Sequence, residues 1–223
     1  MTHIDIADPD PQLMARAYQL WAPIYDFICG PIFLSSRRAA TAAARAVGGR
    51  ILEVGVGTGL SFNDYDATTE VTGIDVSEPM ILKARRRIAS GQYPFVKELR
   101  VMDAAALDFP DTSFDCVVAQ FVITLVNDPE RVLDECARVL KPGGELILIN
   151  HFYSETGAVA ALERWSAPKV RAIGLRPEFR FGRLLRWAEC EGKAELIERR
   201  KADRFGAFTL VRFRRSATLA FAA

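Results

Sequence analysis

Arg50-Ile-Leu-Glu-Val-Gly-Val-Gly-Thr-Gly-Leu60 decides how the rest of this chain is read. Ile51, Leu52 and Val54 form a short apolar run of the kind that fills a strand buried on both faces. The run passes into three glycines at alternate positions, Gly55, Gly57 and Gly59. Without a Cβ the backbone there can turn sharply and lie close against a ligand. A turn of this kind, followed by a helix N-terminus, presents free N–H groups at the top of a sheet. Glu53 adds a carboxylate where the strand ends.

The rival reading is a dinucleotide site. That fingerprint runs G-x-G-x-x-G, with its third glycine packing helix on strand beneath a pyrophosphate. Here the spacing is G-x-G-x-G, and Leu60 stands where the last glycine belongs. A glutamate two residues before the first glycine suits a ligand ammonium better than a pyrophosphate. Taken alone, the triplet also fits an ordinary tight turn. Glu-x-Gly-x-Gly-x-Gly resembles motif I of the class I S-adenosylmethionine-dependent methyltransferases.

Composition sets the frame. With 223 residues, half of them apolar, the chain suits one α/β domain over residues 1–223. Residues 1–32 read as an N-terminal helical lid, and residues 152–192 as a helical elaboration on the acceptor side. No apolar run is long enough to span a membrane, and no basic stretch leads into an apolar signal segment. Cys29, Cys116, Cys136 and Cys190 are widely spaced and form no C-x-x-C pair. They read as reduced thiols of a cytoplasmic protein, with no metal site. The net charge of +1 hides an asymmetry: residues 51–150 carry 9 basic and 16 acidic side chains, residues 151–223 carry 15 and 8. The basic last third suggests an anionic partner, a phosphate or an acidic membrane surface, although a solvated surface would look the same.

Along the chain, helical spacing predicts a helix near 11–22, a short one from Pro23, and another over 33–47 ended by Gly48-Gly49. Strands follow at 51–54, 70–74, 99–102, 114–119 and 145–149, with helices at 77–89 and 128–140 between them. Past His151 the pattern turns helical (155–174 and 181–191), then closes on two strands, about 194–200 and 208–214. Alternating strand and helix with short crossovers predicts a parallel sheet covered on both faces.

The polar residues then fall into register. Glu53 and the glycines follow the first strand, Asp75 the second, Asp103 the third, Gln120 the fourth and His151 the fifth. Ligands of parallel sheets bind at those carboxyl ends. A single acidic residue at a strand end is more often a helix cap or loop residue; a set in register is far more specific. Gly73-Ile-Asp75-Val-Ser77, Val101-Met-Asp103-Ala104, Phe114-Asp115-Cys-Val-Val and Leu140-Lys-Pro-Gly-Gly144 match successive motifs of the class I methyltransferases. The resemblance implies a Rossmann-like sheet, mostly parallel with the last strand antiparallel, helices on both faces, and an N-terminal lid. It implies S-adenosylmethionine as donor and S-adenosylhomocysteine as product. The cofactor set is Glu53, Gly55, Gly57, Thr58, Gly59, Asp75, Val76, Ser77, Met80, Asp103, Ala104 and Gln120. Asp75 suits the ribose hydroxyls, Asp103 and the Ala104 N–H the adenine, and Glu53 the amino-acid end. Met80 and Leu107 would wall the adenine.

Four longer stretches are similar to the soluble bacterial phosphatidylethanolamine N-methyltransferases of the Rhodobacter type. These are Trp21-Ala-Pro-Ile-Tyr25-Asp-Phe-Ile-Cys-Gly-Pro-Ile-Phe33, Val54–Gly59, Ala119-Gln-Phe-Val-Ile-Thr124 and Leu148-Ile-Asn-His151. This resemblance implies stepwise methylation of phosphatidylethanolamine to phosphatidylcholine. A cytoplasmic protein peripherally associated with the inner face of the cytoplasmic membrane is expected; its oligomeric state is left open, with a monomer the expectation. Trp-x-x-Ile-Tyr-Asp also resembles the ubiquinone/menaquinone-biosynthesis methyltransferases, which keeps a ring C-methyltransferase open. A catalytically inactive membrane-binding module is the alternative of another class; no nucleic-acid partner is expected.

An N-terminal amphipathic helix (Leu13, Leu20, Trp21, Ile24 beside Arg16, Arg37 and Arg38) would meet an anionic membrane, or pack as a lid. Tyr18, Tyr25 and His151 are the catalytic candidates, with Tyr153, Trp165 and Arg180 for the substrate. Aromatic faces attract a cation and an arginine suits a phosphate. Most aromatics at helical spacing are core, so only two or three of these are expected to serve.

Overall fold

The computed structural model describes residues 33–152 and 179–217. The order is α1 (33–47), β1 (Gly49–Val54), β2 (Thr69–Asp75), α2 (Glu78–Ile88), β3 (Val96–Val101), β4 (Phe114–Gln120), α3 (Pro129–Val139), β5 (Leu140–Asn150), α4 (Phe181–Glu189), β6 (Ala194–Lys201) and β7 (Thr209–Arg215).

The strands form one sheet in the order β3-β2-β1-β4-β5-β7-β6. β1 to β5 are parallel; β7 runs antiparallel between β5 and β6. Successive side chains of a strand point to opposite faces, and the core divides accordingly. On one face Leu52, Val54, Val117, Ala119, Leu146 and Leu148 pack under α3 (Val132, Leu133, Cys136) and α4 (Leu184, Trp187). On the other, Ile51, Cys116, Val118, Ile147 and Ile149 pack under α1 (Ala40, Ala43, Ala44) and α2 (Ile81, Ala84). Three small alanines let α1 lie close to the sheet. Cys116 and Cys136 are free and buried, as the spacing implied, and Cys190 is free and exposed.

Three features differ from the sequence reading. The glycine turn does not open a long helix: it runs into a 3-10 turn, Leu60–Asp64, whose Phe62 fills the core. The strand–helix alternation breaks between β3 and β4, where Leu107 and Phe109 pack from an irregular loop of turns and bends. β5 begins five residues early, because Leu140 pairs with Phe114 before the Lys141–Gly144 segment shifts the register beside Asp115. Lys141 closes that irregularity with a 2.7 Å ion pair to Asp115.

Asp128 caps α3 by accepting from the Arg131 N–H at 3.1 Å. Ser77 stands at the N-cap of α2 but caps nothing with its side chain. No helix among the described residues is long and apolar enough to cross a membrane.

Candidate active site

Strand order reverses between β1 and β4, which opens a crevice above their carboxyl ends. Phe33, Arg37, Glu53, Gly55, Val56, Gly57, Thr58, Leu60, Ser61, Gln120 and Phe121 line it. Of the predicted cofactor residues, this brings Glu53, Gly55, Gly57, Thr58 and Gln120 into one cleft.

Glu53 lies at the cleft's floor and is 2% exposed. One carboxylate oxygen accepts from the Ser61 hydroxyl at 2.9 Å, the other from the Gln120 amide at 3.1 Å. Burial pushes its pKa up from 4.5 to about 7, against the pull of Ser61, Tyr65, Arg37 and Gln120. The cost of ionising Glu53 without a cation is therefore substantial, and a ligand ammonium would offset it. The Gln120 carbonyl oxygen is buried with no hydrogen-bond partner, which leaves a second acceptor beside the first. A Cβ at Gly57 would meet nothing within 4 Å, so that glycine faces open cleft. A cationic amino-acid end against Glu53 and Gln120 fits this donor-poor, acceptor-rich floor.

Asp75, at the end of β2, braces the next wall. One oxygen accepts from the Gly57 N–H at 2.9 Å and the other from the Ser77 N–H at 2.8 Å. Burial raises its pKa, while those two N–H groups lower it. Each oxygen keeps further lone pairs for vicinal hydroxyls. Val76, next along, is 76% exposed and offers an apolar surface to a flat ring. Met80 is buried in α2, below that surface rather than on it. Asp103 sits one turn away: Met102 N–H donates to the Asp75 carbonyl at 3.0 Å, and Asp103 accepts from the Ala105 N–H at 2.9 Å. Ala104 packs partly buried against the core. Gly59 closes the turn and lies outside the cleft lining.

On the acceptor side, His151 is exposed just past β5, its Nδ1 2.7 Å from the Ala207 carbonyl of the β6–β7 loop. That contact puts the ring proton on Nδ1 and makes Nε2 the basic nitrogen of the neutral imidazole. Arg180 is exposed at the N-cap of α4. Phe179 and Phe181 on either side of it reach Phe152, at centroid separations of 6.1 and 5.8 Å. Arg180 thus stands near the end of β5. Arg183, three residues along α4, pairs with Glu130. Tyr18, Tyr25, Tyr153 and Trp165 lie outside the described residues, as does the proposed amphipathic helix.

Arg37 is a correction. Read as flanking a membrane-facing helix, it instead pairs with Asp64 at 2.8 Å and lines the cleft. Ser61, Phe33 and Phe121 were not singled out. Phe121 carries φ 61° and packs against Phe33 and Phe208, at 4.5 and 5.2 Å between centroids. A left-handed phenylalanine leaves no signature in composition or periodicity.

A second, open groove of about 480 Å³ lies between residues 105–108 and α3. Its polar groups are already engaged: Arg131 with the Ala105 carbonyl, Glu135 with the Leu107 N–H, and Asp134 with Trp187 and Lys193. No cluster of metal-ligating side chains occurs among the described residues.

Sheet order, switch-point cleft and acidic strand ends are those of a class I S-adenosylmethionine-dependent methyltransferase. A family model described as "Methyltransferase domain" matches residues 52–148. The chain is 43% identical over 202 residues to the phosphatidylethanolamine N-methyltransferase of Cereibacter sphaeroides, a match covering 91% of this chain and 97% of that protein. It belongs to the family of that enzyme. The demethylmenaquinone methyltransferase of Renibacterium salmoninarum is 36% identical over 63% of this chain and 60% of its own length. Among solved structures, the [4+2]-cyclase SpnF superposes with a TM-score of 0.75 at 20% identity, over 94% of this chain and 97% of its own.

Proposed function

We propose that this enzyme methylates the amine of phosphatidylethanolamine, and then its mono- and dimethyl forms, to give phosphatidylcholine. The observation that supports it is the reach of the 43% identity, which spans 91% of this chain and so includes both ends around the shared sheet. Acceptor identity resides in those ends. The match to the demethylmenaquinone enzyme stops at 63% of this chain.

In this reading Glu53 and Gln120 hold the ammonium end of the donor, Asp75 its ribose, Asp103 and Ala104 its adenine, and Val76 one ring face. S-adenosylmethionine supplies an electrophilic sulfonium methyl, so the protein's task is alignment and exclusion of water. Phe33 and Phe121 roof the cleft with apolar surface. The acceptor amine attacks only when neutral. His151 would take its proton through Nε2, with the Nδ1 bond to Ala207 fixing the ring. Tyr18, Tyr25, Tyr153 and Trp165 would cage the growing cation, and Arg180 would hold the phosphate. The enzyme works at the inner face of the cytoplasmic membrane, reached in part by its N-terminal helix.

The test is incubation with labelled S-adenosylmethionine and either vesicles of phosphatidylethanolamine with an anionic lipid or a demethylquinone. Label is expected in the lipid. Label in the quinone alone would reverse the assignment.

A further inference from the structure

Among the described residues, the large apolar side chains left exposed are Val76, Leu82, Val101 and Phe205. Val76 belongs to the cofactor wall. Phe205 is different: it is 96% exposed and sits at the tip of the β6–β7 hairpin. The tip is a shaped turn. Asp203 accepts from the N–H groups of Phe205, Ala207 and Phe208 at 2.8, 3.2 and 2.5 Å, and Ala202 N–H donates to the Phe208 carbonyl at 2.9 Å. A braced turn therefore holds a whole phenyl ring in water, against the hydrophobic preference for burial.

Its surroundings are cationic. Arg199, Arg200, Lys201 and Arg204 are all exposed within six residues. Asp203 is occupied by backbone N–H groups, Arg200 pairs with Glu198 at 2.7 Å, and Lys201 Nζ lies 3.4 Å from the Thr209 hydroxyl. Arg199 lies over the Phe181 ring at 3.8 Å, and Arg204 has no ion-pair partner among the described residues. An aromatic apex within a collar of arginine and lysine is chemistry that an anionic lipid surface recognises: the ring enters the acyl boundary and the cations meet headgroups.

The tip also stands beside the cleft. Phe208, three residues on, packs against both Phe121 and Phe33 at 5.2 Å between centroids, and those two rings line the cofactor cleft. Three residues of extended chain span about 10 Å at most. Ala207, in the same loop, holds His151.

We propose that the β6–β7 hairpin tip is a wedge that docks on an anionic phospholipid bilayer and sets the mouth of the cleft against it. The contact stands on the hairpin's own chemistry; its purpose rests on the phospholipid reading of the acceptor.

Full-length protein is tested with vesicles of phosphatidylethanolamine and phosphatidylglycerol, and with neutral phosphatidylcholine vesicles. Phe205→Ala is expected to weaken sedimentation with anionic vesicles about tenfold, and Arg204→Glu by at least about fivefold, the latter effect vanishing at high salt. Phe205→Trp is expected to gain a blue shift and quenching by brominated anionic lipid beyond the wild-type background. S-adenosylhomocysteine affinity, unchanged in all three, reports that each variant folds. Vesicle binding indifferent to Phe205 and Arg204, with Phe205→Trp emission unmoved, overturns the wedge even where lipid is methylated; a role in protein contact would then fit the tip better. Vesicle binding lost in the variants while wild type methylates only quinone leaves the wedge standing and overturns the acceptor.

Discussion

Glu53 at the end of β1 and Gln120 at the end of β4 meet at 3.1 Å across the point where strand order reverses. The pair ties the floor of the cleft to the two strands that flank it. It also makes the folded chain sensitive to pH. With its pKa raised from 4.5 to about 7, Glu53 binds a proton more tightly folded than unfolded. Its contribution to stability is complete below about pH 4.5 and is lost as pH rises to about 7, roughly 3 kcal/mol in all. Urea unfolding of the ligand-free protein at pH 5 and pH 8 measures this. The difference between wild type and Glu53→Gln should widen in favour of Gln at pH 8, and equal differences at both pH values would refute it.

Cofactor affinity should run the other way. An ammonium prefers the ionised carboxylate, so S-adenosylhomocysteine should bind more tightly as pH rises through about 7. Glu53→Gln should bind about tenfold or more weakly at pH 8, with a flat profile, as read by calorimetry.

Asp75→Ala removes the brace between Gly57 and Ser77 as well as the proposed ribose contact. We expect cofactor affinity to fall at least about tenfold, each lost charge-assisted bond contributing about 1.5–3 kcal/mol. Asp75→Asn should recover part of it. Affinity unchanged in Asp75→Ala would take Asp75 off the ribose.

Gly57 and Gly59 separate binding from folding. Both have positive φ, 56° and 76°. A Cβ at Gly59 would lie 2.3 Å from the Phe62 ring, whereas at Gly57 it would project into the cleft. Gly57→Ala should cost only about 1–2 kcal/mol in backbone strain yet bind S-adenosylhomocysteine poorly. Gly59→Ala should lose more thermal stability. Thermal scans with and without ligand compare the two; equal melting temperatures would contradict the geometry.

His151→Ala should lower kcat/KM for a lipid amine about tenfold or more at neutral pH. Assay at higher pH, where the free amine is more abundant, should recover most of it. A loss that alkaline pH leaves untouched would mean that His151 only tethers the hairpin through Ala207.

The sheet was legible because its signals are local. Apolar runs such as Ile51–Val54 and Phe114–Ala119 are too short for helices, and each has a polar residue, Glu53 or Gln120, at its carboxyl end. The acids at 53, 75 and 103 were legible because parallel strands bring their ends to one edge whatever joins them. The joints were less so. Leu60–Asp64 carries no strong helix stop, yet Phe62 is drawn into the core and holds the turn short. Arg37 looked like a surface cation; its partner Asp64 is 27 residues away, and local pattern does not show that pairing. Ser61 and Phe121 owe their positions to tertiary packing, one beneath Glu53 and the other forced to φ 61° between two phenylalanines.

Val76 follows β2 and Phe205 lies in the β6–β7 loop, and four strand spacings separate β2 from β7 in the sheet. Three methyl transfers to one amine consume three donor molecules, each leaving a spent one to be cleared. If the proposed hairpin wedge seats in lipid, Val76 lies four strands along the sheet from that contact. Donor exchange on the β2 side would then be separated from lipid contact on the β7 side, an arrangement that would let one lipid pass through successive rounds without leaving the surface.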